Sequence, residues 1–168
     1  MSDEYPWYGV VRGDQLAQGD LLKGCPHYQV LDDGQLAKQL NDVVVLSQSC
    51  DLANDKLHIV QVCPYWPLET LATTVEYFRG KRGREDLRRG NLPGYHLLNR
   101  CQLPDHESDF LVCDFRSLIG VRLTTLKTLA TQQVSRLRLL PPYREHLAQA
   151  FARFFMRVGL PVDVPAFQ

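Results

Sequence analysis

One stretch of this sequence, NDVVVLSQSCDLAND (Asn41–Asp55), carries a run of chemically capable side chains directly after an apolar segment. Val43–Leu46 is apolar throughout, and Ser47, Gln48, Ser49, Cys50 and Asp51 follow without a spacer. A thiol so placed becomes a nucleophile when a cation, a histidine or a helix N-terminus lowers its pKa. His27 and His58 lie on the segments expected to flank it, and Asp20 opens the first of them. Asp20, His27, Cys50 and Asp51 therefore form the candidate catalytic set. Asp51 argues the other way, because a neighbouring carboxylate raises a thiol's pKa. The structural alternative has Asp51 and Asn54 making Asx-turn bonds while Cys50 packs as a small apolar group.

A second chemistry is metal binding. Cys25 and His27 stand two apart and share a face if the segment is extended. Cys50 and Cys63 lie on neighbouring segments, so a tetrahedral Cys3His zinc site could be drawn from the four. No CxxC pair supports it, and Cys63 sits inside a strand pattern where a core thiol is the simpler reading. The expectation is no metal and no cofactor. The five cysteines are an odd number at irregular spacing, which does not suggest a disulfide framework.

The third feature is charge. Arg79, Lys81, Arg82, Arg84, Arg88 and Arg89 against Glu85 and Asp86 give a net +4, in a chain whose 19 basic and 19 acidic side chains cancel. Such asymmetry in a neutral chain is what a local phosphate-binding patch looks like. Gly80, Gly83, Gly90 and Gly94 would let backbone amides approach a phosphate, and Tyr77, Phe78 and Tyr95 could stack bases. These six cations are the candidate nucleic-acid-binding residues, with an acidic protein as the alternative partner. The opposing reading is a solvated loop.

The elements that must position these groups follow from periodicity. Gln18–Leu22 and His27–Leu31 read as extended, and Asp32-Asp33-Gly34 signals a hairpin. Leu36–Leu40 alternates weakly, and Asn41-Asp42 predicts a further turn into Val43–Leu46. Leu57–Pro64 is the next strand, with Ile59, Gln61 and Cys63 on one face and His58, Val60 and Val62 on the other. Pro67–Phe78 has helical spacing, 79–94 reads as a loop, and Tyr95–Leu98 and Asp109–Phe115 read as strands. Val121–Thr131 is ambiguous. Leu147, Phe151, Phe154, Phe155 and Val158 share one helical face, bounded by Pro142 and Gly159. The expected fold is α+β in one domain: a small antiparallel SH3-like barrel (9–66 and 92–140), a helix and basic-loop insertion (67–91) and a C-terminal amphipathic helix (142–158). With no secretory signal and no apolar stretch long enough to span a bilayer, a cytoplasmic protein without membrane contact is expected.

The order of these motifs resembles the MazF/PemK toxin family. The shared features are a Gly19-Asp20 strand, a hairpin, the strand VVVLSQS, a strand ending Val62-Cys63-Pro64, then an Arg-Leu segment and a helix ending Val-Gly-Leu-Pro161. The resemblance covers 18–64 and 111–161, with 67–100 as an insertion. It implies an SH3-like barrel in a bacterial toxin–antitoxin or phage-defence setting. Where that family carries a catalytic Arg this chain has Asn41 and Asp42, and where it uses a Thr or Ser after the next strand this chain has Pro64-Tyr65-Trp66. The implied protein is therefore a non-catalytic or weakly catalytic module contacting nucleic acid or a protein partner. A metal-independent endoribonuclease using His27 or His58, Asp51 and Arg12 is the rival, and a zinc- or thiol-dependent protein the third reading. Gln18-Gly19-Asp20 followed by SQSCDL is also similar to a bacterial group sharing both motifs, a likeness that implies no activity. Whether the chain is an enzyme, and whether it forms a homodimer, stay open in the sequence.

Overall fold

The computed structural model describes residues 5–156. In chain order these form β1 (Tyr8–Val11), β2 (Leu21–Val30), β3 (Leu36–Val45), α1 (Ser49–Ala53), β4 (Ile59–Pro67), α2 (Leu68–Thr74), a 3-10 turn over Glu76–Arg79 and α3 (Lys81–Arg88). There follow β5 (Tyr95–Leu98), β6 (Leu111–Asp114), β7 (Ile119–Arg122), α4 (Leu123–Gln132), β8 (Arg136–Leu139) and α5 (Tyr143–Phe155). The protein is a mixed α/β fold around an open, antiparallel six-stranded sheet. Its path runs β2-β3-β4-β6-β5, with β7 also paired to β4, while β1 and β8 form a separate two-stranded ribbon. A single bridge, Asp20 to Arg138, joins the ribbon to the sheet. Among the described residues no helix is long and apolar enough to cross a membrane.

Val43-Val44-Val45 is apolar without alternation because β3 is covered on both faces. Val44 packs with Leu21, Cys63, Tyr65, Phe115 and Leu147 in one core. Val43 and Val45 pack with Leu22, Cys25, Val60, Val62, Leu126 and Ala130 in another. A strand buried on both sides shows a continuous apolar run, since neither face has water to satisfy. The expected face assignment in β4 holds: Val60 and Val62 face the second core and Cys63 the first, with Ile59 half exposed at the strand's start.

The hairpin at Asp32-Asp33-Gly34 forms as expected, with Gly34 at φ +81° and the Leu31 amide donating to the Gln35 carbonyl at 2.8 Å. The turn expected at Asn41-Asp42 does not form; β3 runs straight through it. Asp42 instead accepts the Gly24 amide at 2.9 Å, where the β2–β3 register shifts between Leu22 and Cys25. Its carboxylate satisfies a bulge in the partner strand. The ambiguous segment divides at Arg122: β7 pairs with the first half of β4, and α4 starts at Leu123 and lays Leu126 and Ala130 on the second core.

The insertion differs most from expectation. The helix expected over Pro67–Phe78 stops at Thr74, and Val75 is extended before the 3-10 turn. The basic segment is not a loop, because Lys81–Arg88 is helical. Leu87 carries it into a third core with Leu68, Ala72, Phe78 and Val112. Gly83 is there for space rather than for mobility. A Cβ on it would stand 1.9 Å from the Tyr77 carbonyl oxygen and 2.7 Å from its carbon. We expect Gly83→Ala to cost about 1–3 kcal/mol, as overpacking does when backbone must shift, read as a lower urea midpoint. A change within 0.5 kcal/mol would mean that α3 does not pack on the preceding turn.

At the C-terminus, α5 seats Leu147 with no exposed surface, and Phe151 and Phe154 rest on Phe115 at ring distances of 5.6 and 6.1 Å. Phe155, expected on the same buried face, is 60% exposed. Its ring touches those of Phe151 and Phe154, at 5.3 and 4.9 Å, rather than the core. The expected contributions of Val158, Gly159 and Pro161 lie outside the described residues.

Candidate functional site

The motif Gln18-Gly19-Asp20 and the run Ser47–Asp51 do meet, but at backbone and hydroxyl groups. The Gln18 side-chain amide donates to the Leu46 carbonyl at 2.7 Å, and its backbone amide donates to Ser49 Oγ at 3.0 Å. Ser47 Oγ accepts the Gln61 amide at 2.9 Å. Gly19, at φ +86°, donates to Val45 and accepts from Leu139, with Leu139 Cβ only 3.0 Å from where its own Cβ would stand. Asp20 is fully buried. Its carboxylate accepts from Arg136 Nε at 2.9 Å, from Arg138 and from the Ala17 amide at 3.1 Å. Arg136 is itself buried and donates to the carbonyls of Gly13 and Gln15, both at 2.6 Å. Asp20 is thus the anchor of an ion-pair network that ties the β1–β2 loop, β2 and β8 together. This role was foreshadowed only by the Arg-Leu segment 136–139.

The other members of the catalytic set lie apart from it. The strand does not end in a turn but in α1, whose Cys50 is exposed and whose Asp51 faces Lys56 at 4.0 Å. Asn54 donates to the Cys50 carbonyl at 2.6 Å, closing the helix end. The polar groups that follow Val43–Leu46 therefore fasten the strand to its neighbours. The ribonuclease set is also dispersed: His27 and Arg12 line different cavities, Asp51 is on α1, and His58 is exposed. Arg12 borders a cavity of about 580 Å³ that also holds a His106–Ser135 contact of 2.8 Å, a pair that sequence reasoning did not single out.

The zinc set is not assembled either. Cys25 sits in the second core and Cys63 in the first, on opposite faces of the sheet, and Cys50 is outside both. Burial pushes the Cys25 thiol up to about 11. Cys63 is raised further, by its hydrogen bond with Cys113 and then by burial. Thiols held protonated are poor ligands. Among the described residues no three His, Cys, Asp or Glu side chains form a group that could hold a metal ion.

Of the six cations expected in one exposed patch, Arg79, Lys81, Arg82, Arg88 and Arg89 are exposed and Arg84 is half-buried. Folding into a helix gives most of these cations internal partners. Arg84 makes a two-pronged pair with Glu69 at 2.7 and 2.9 Å, and donates to the Phe78 carbonyl. Arg79 donates to Ala72 and Thr73 carbonyls. Arg88 and then Arg89 hold Glu85 well below the usual carboxylate range, at about 2. Arg82 lies beside Tyr77 and Asp86. Lys81 has no hydrogen bond or ion pair within the described residues.

A larger concave surface than the one beside α3 lies elsewhere. A groove of about 1270 Å³ runs between the β2–β3 hairpin and the β6–β7 turn. Tyr28 and Lys38, a cross-strand pair, line it together with His27, Trp66, Arg116 and Arg122. None of the lining residues is acidic. Lys38 and Arg122 are exposed and have no carboxylate partner among the described residues, whereas Arg116 is paired to Asp114 at 2.7 Å and lies over the Tyr95 ring. His27 Nδ1 is buried without a hydrogen-bond partner, a costly state unless something arrives to use it. Tyr28 is 68% exposed, on the outer half of β2 beyond the core residues Leu21, Leu22 and Cys25. Cations with no competing anion, and flat aromatic faces beside them, suit a backbone of phosphates with bases to stack.

No protein-family model, curated protein or solved structure matches this chain. The groove therefore has to be read from its own chemistry. Of this surface, sequence marked His27 as a candidate and named Asn41, Pro64 and Trp66 as departures from the resembled family; Tyr28, Lys38, Arg116 and Arg122 come from three strands and one turn, and no spacing could have linked them.

Proposed function

We propose that this chain is a MazF/PemK-like module that binds single-stranded nucleic acid in the hairpin groove without cleaving it, in a bacterial toxin–antitoxin or phage-defence setting. The observation that carries the reading is the acid-free groove with Lys38, Arg122 and His27 set among Tyr28 and Trp66. The site moves from the basic insertion, whose cations are largely paired with Glu69 and Glu85, to the sheet. The non-catalytic half of the proposal rests on the dispersal of Asp20, His27, His58, Asp51 and Arg12. An SH3-like barrel is the architecture we infer behind it. In its favour, the ribbon β1–β8 reaches β2 through Asp20–Arg138, and reaches the far end of the sheet path through the Tyr8 hydroxyl, which donates to the Asn99 carbonyl at 2.7 Å.

Affinity for a short single-stranded RNA, titrated with salt, tests this. Lys38 and Arg122 at two phosphates imply a log–log slope of about −1.4, at ~0.7 per contact. Lys38→Ser with Arg122→Ser should remove most of that slope and leave the melting temperature unchanged, since both side chains are exposed. The RNA should emerge intact from the incubation. Absence of binding by wild type at low salt would overturn the reading and favour an acidic protein partner. Unchanged binding by the double variant would also overturn it, and shortened RNA would overturn its non-catalytic half.

A further inference from the structure

Behind α3 lies a second, smaller cavity of about 270 Å³, walled by the end of α3, by β5 and by α5. Arg88 and Arg89 enter from α3, His96 from β5, and His146, Gln149 and Arg153 from α5. No lining residue is acidic. We infer that this cavity is a binding site for a phosphate monoester dianion, distinct from the groove and independent of the nucleic-acid reading.

Three observations point to such an anion. The first is charge: Arg88 and Arg89 share one carboxylate, Glu85, which leaves a net positive charge beside the cavity that Arg153 also lines. Glu85 takes Arg88 Nε at 2.8 Å and Arg89 Nε at 2.6 Å, from the preceding turn of α3. Arg153 has no carboxylate partner among the described residues. Guanidinium groups offer paired N–H donors that match the oxygens of a phosphate. The second is an unanswered donor site. His96 Nε2 is buried and has no hydrogen-bond partner, while its ring lies against Phe115 at 6.3 Å. Burial, and then the nearby His146, push the His96 pKa down to about 4, so the ring is neutral near pH 7. A neutral imidazole protonated on Nε2 presents an N–H already stripped of water, which a phosphate oxygen would satisfy. The third is size. The volume falls near the lower end of the roughly 300–1,000 Å³ usual for small-molecule sites, enough for a phosphate and part of its carrier.

Phosphate bound here would join α3 to α5 across the cavity that both line. The dianion could be free phosphate or the terminal phosphate of a nucleotide; the same residues would recognise both.

The probes are inorganic phosphate, uridine 5′-monophosphate and uridine, each titrated at constant ionic strength with the melting temperature as readout, since a ligand that binds only the folded state raises it. Phosphate and the monophosphate should raise the melting temperature, and uridine and chloride should not. Tighter binding of the monophosphate would assign the site to a nucleotide, and equal binding to free phosphate. Arg153→Gln should weaken the response at least tenfold while leaving the unliganded melting temperature in place, because this side chain is on an exposed position of α5. His96→Gln tests the buried donor, with Arg153→Gln as the safeguard should His96→Gln fold poorly. The Lys38→Ser/Arg122→Ser protein should respond like wild type, which separates failure here from failure of the groove. An equal response by Arg153→Gln, or an equal effect of chloride, would overturn the proposal.

Discussion

Replacing Asp20 with Asn should lower the unfolding free energy by about 3–5 kcal/mol, the range for removing one partner of a buried ion pair. The reason is what remains. Arg136, 2% exposed, would keep its charge with only the Gly13 and Gln15 carbonyls to answer it, and Arg138 would lose its anchor beside it. Asn is nearly isosteric, so the loss isolates charge from shape. Urea unfolding at neutral pH measures it as a fall in midpoint at constant slope. Asp51→Asn is the control: that carboxylate is partly exposed and its ion pair with Lys56 spans 4.0 Å, so its effect should stay within about 0.5 kcal/mol. Equal effects of the two substitutions would mean that Asp20 is no keystone, and a catalytic role for it would return.

Phe78→Ala should cost about 3–5 kcal/mol, as truncation of a large buried aromatic does. Phe78 has no exposed surface. It sits between Leu68, Ala72, Leu87 and Val112, with the Tyr95 ring edge-on at 5.0 Å. The same change would also loosen α3, because Leu87 is held in this core with the Phe78 ring. Hydrogen exchange should therefore rise first in 68–88. A loss under 1 kcal/mol would show the insertion to be an appendage, as a basic loop would have been. The phosphate cavity would fall with it, since Arg88 and Arg89 are carried by this unit.

What the sequence by itself determined was local and periodic. The hairpin at Asp32-Asp33-Gly34, the division of β4 into Val60/Val62 and Cys63 faces, and the Leu147–Phe151–Phe154 face of α5 all follow from side-chain alternation and turn chemistry within a few residues. Those signals act over the distance at which they are written. The unbroken Val43–Leu46 run announced a strand covered on both sides, and the polar residues after it announced a site or a set of fastenings. Choosing between the two needed the tertiary structure, because the partners of Ser47, Ser49 and Asp20 are Gln61, Gln18 and Arg136, up to 116 residues away. The same holds for charge. Arg79–Arg89 reads as a patch in one dimension, but helix formation sets Glu85 against Arg88 and Arg89, and chain reversal sets Glu69 against Arg84, which neutralises much of it. Cations left without such partners, Lys38 and Arg122 in the groove and Arg153 in the cavity, are unremarkable in sequence. Only folding decides which charges find a counterion and which are left facing a space, and the latter are the ones that can bind something else.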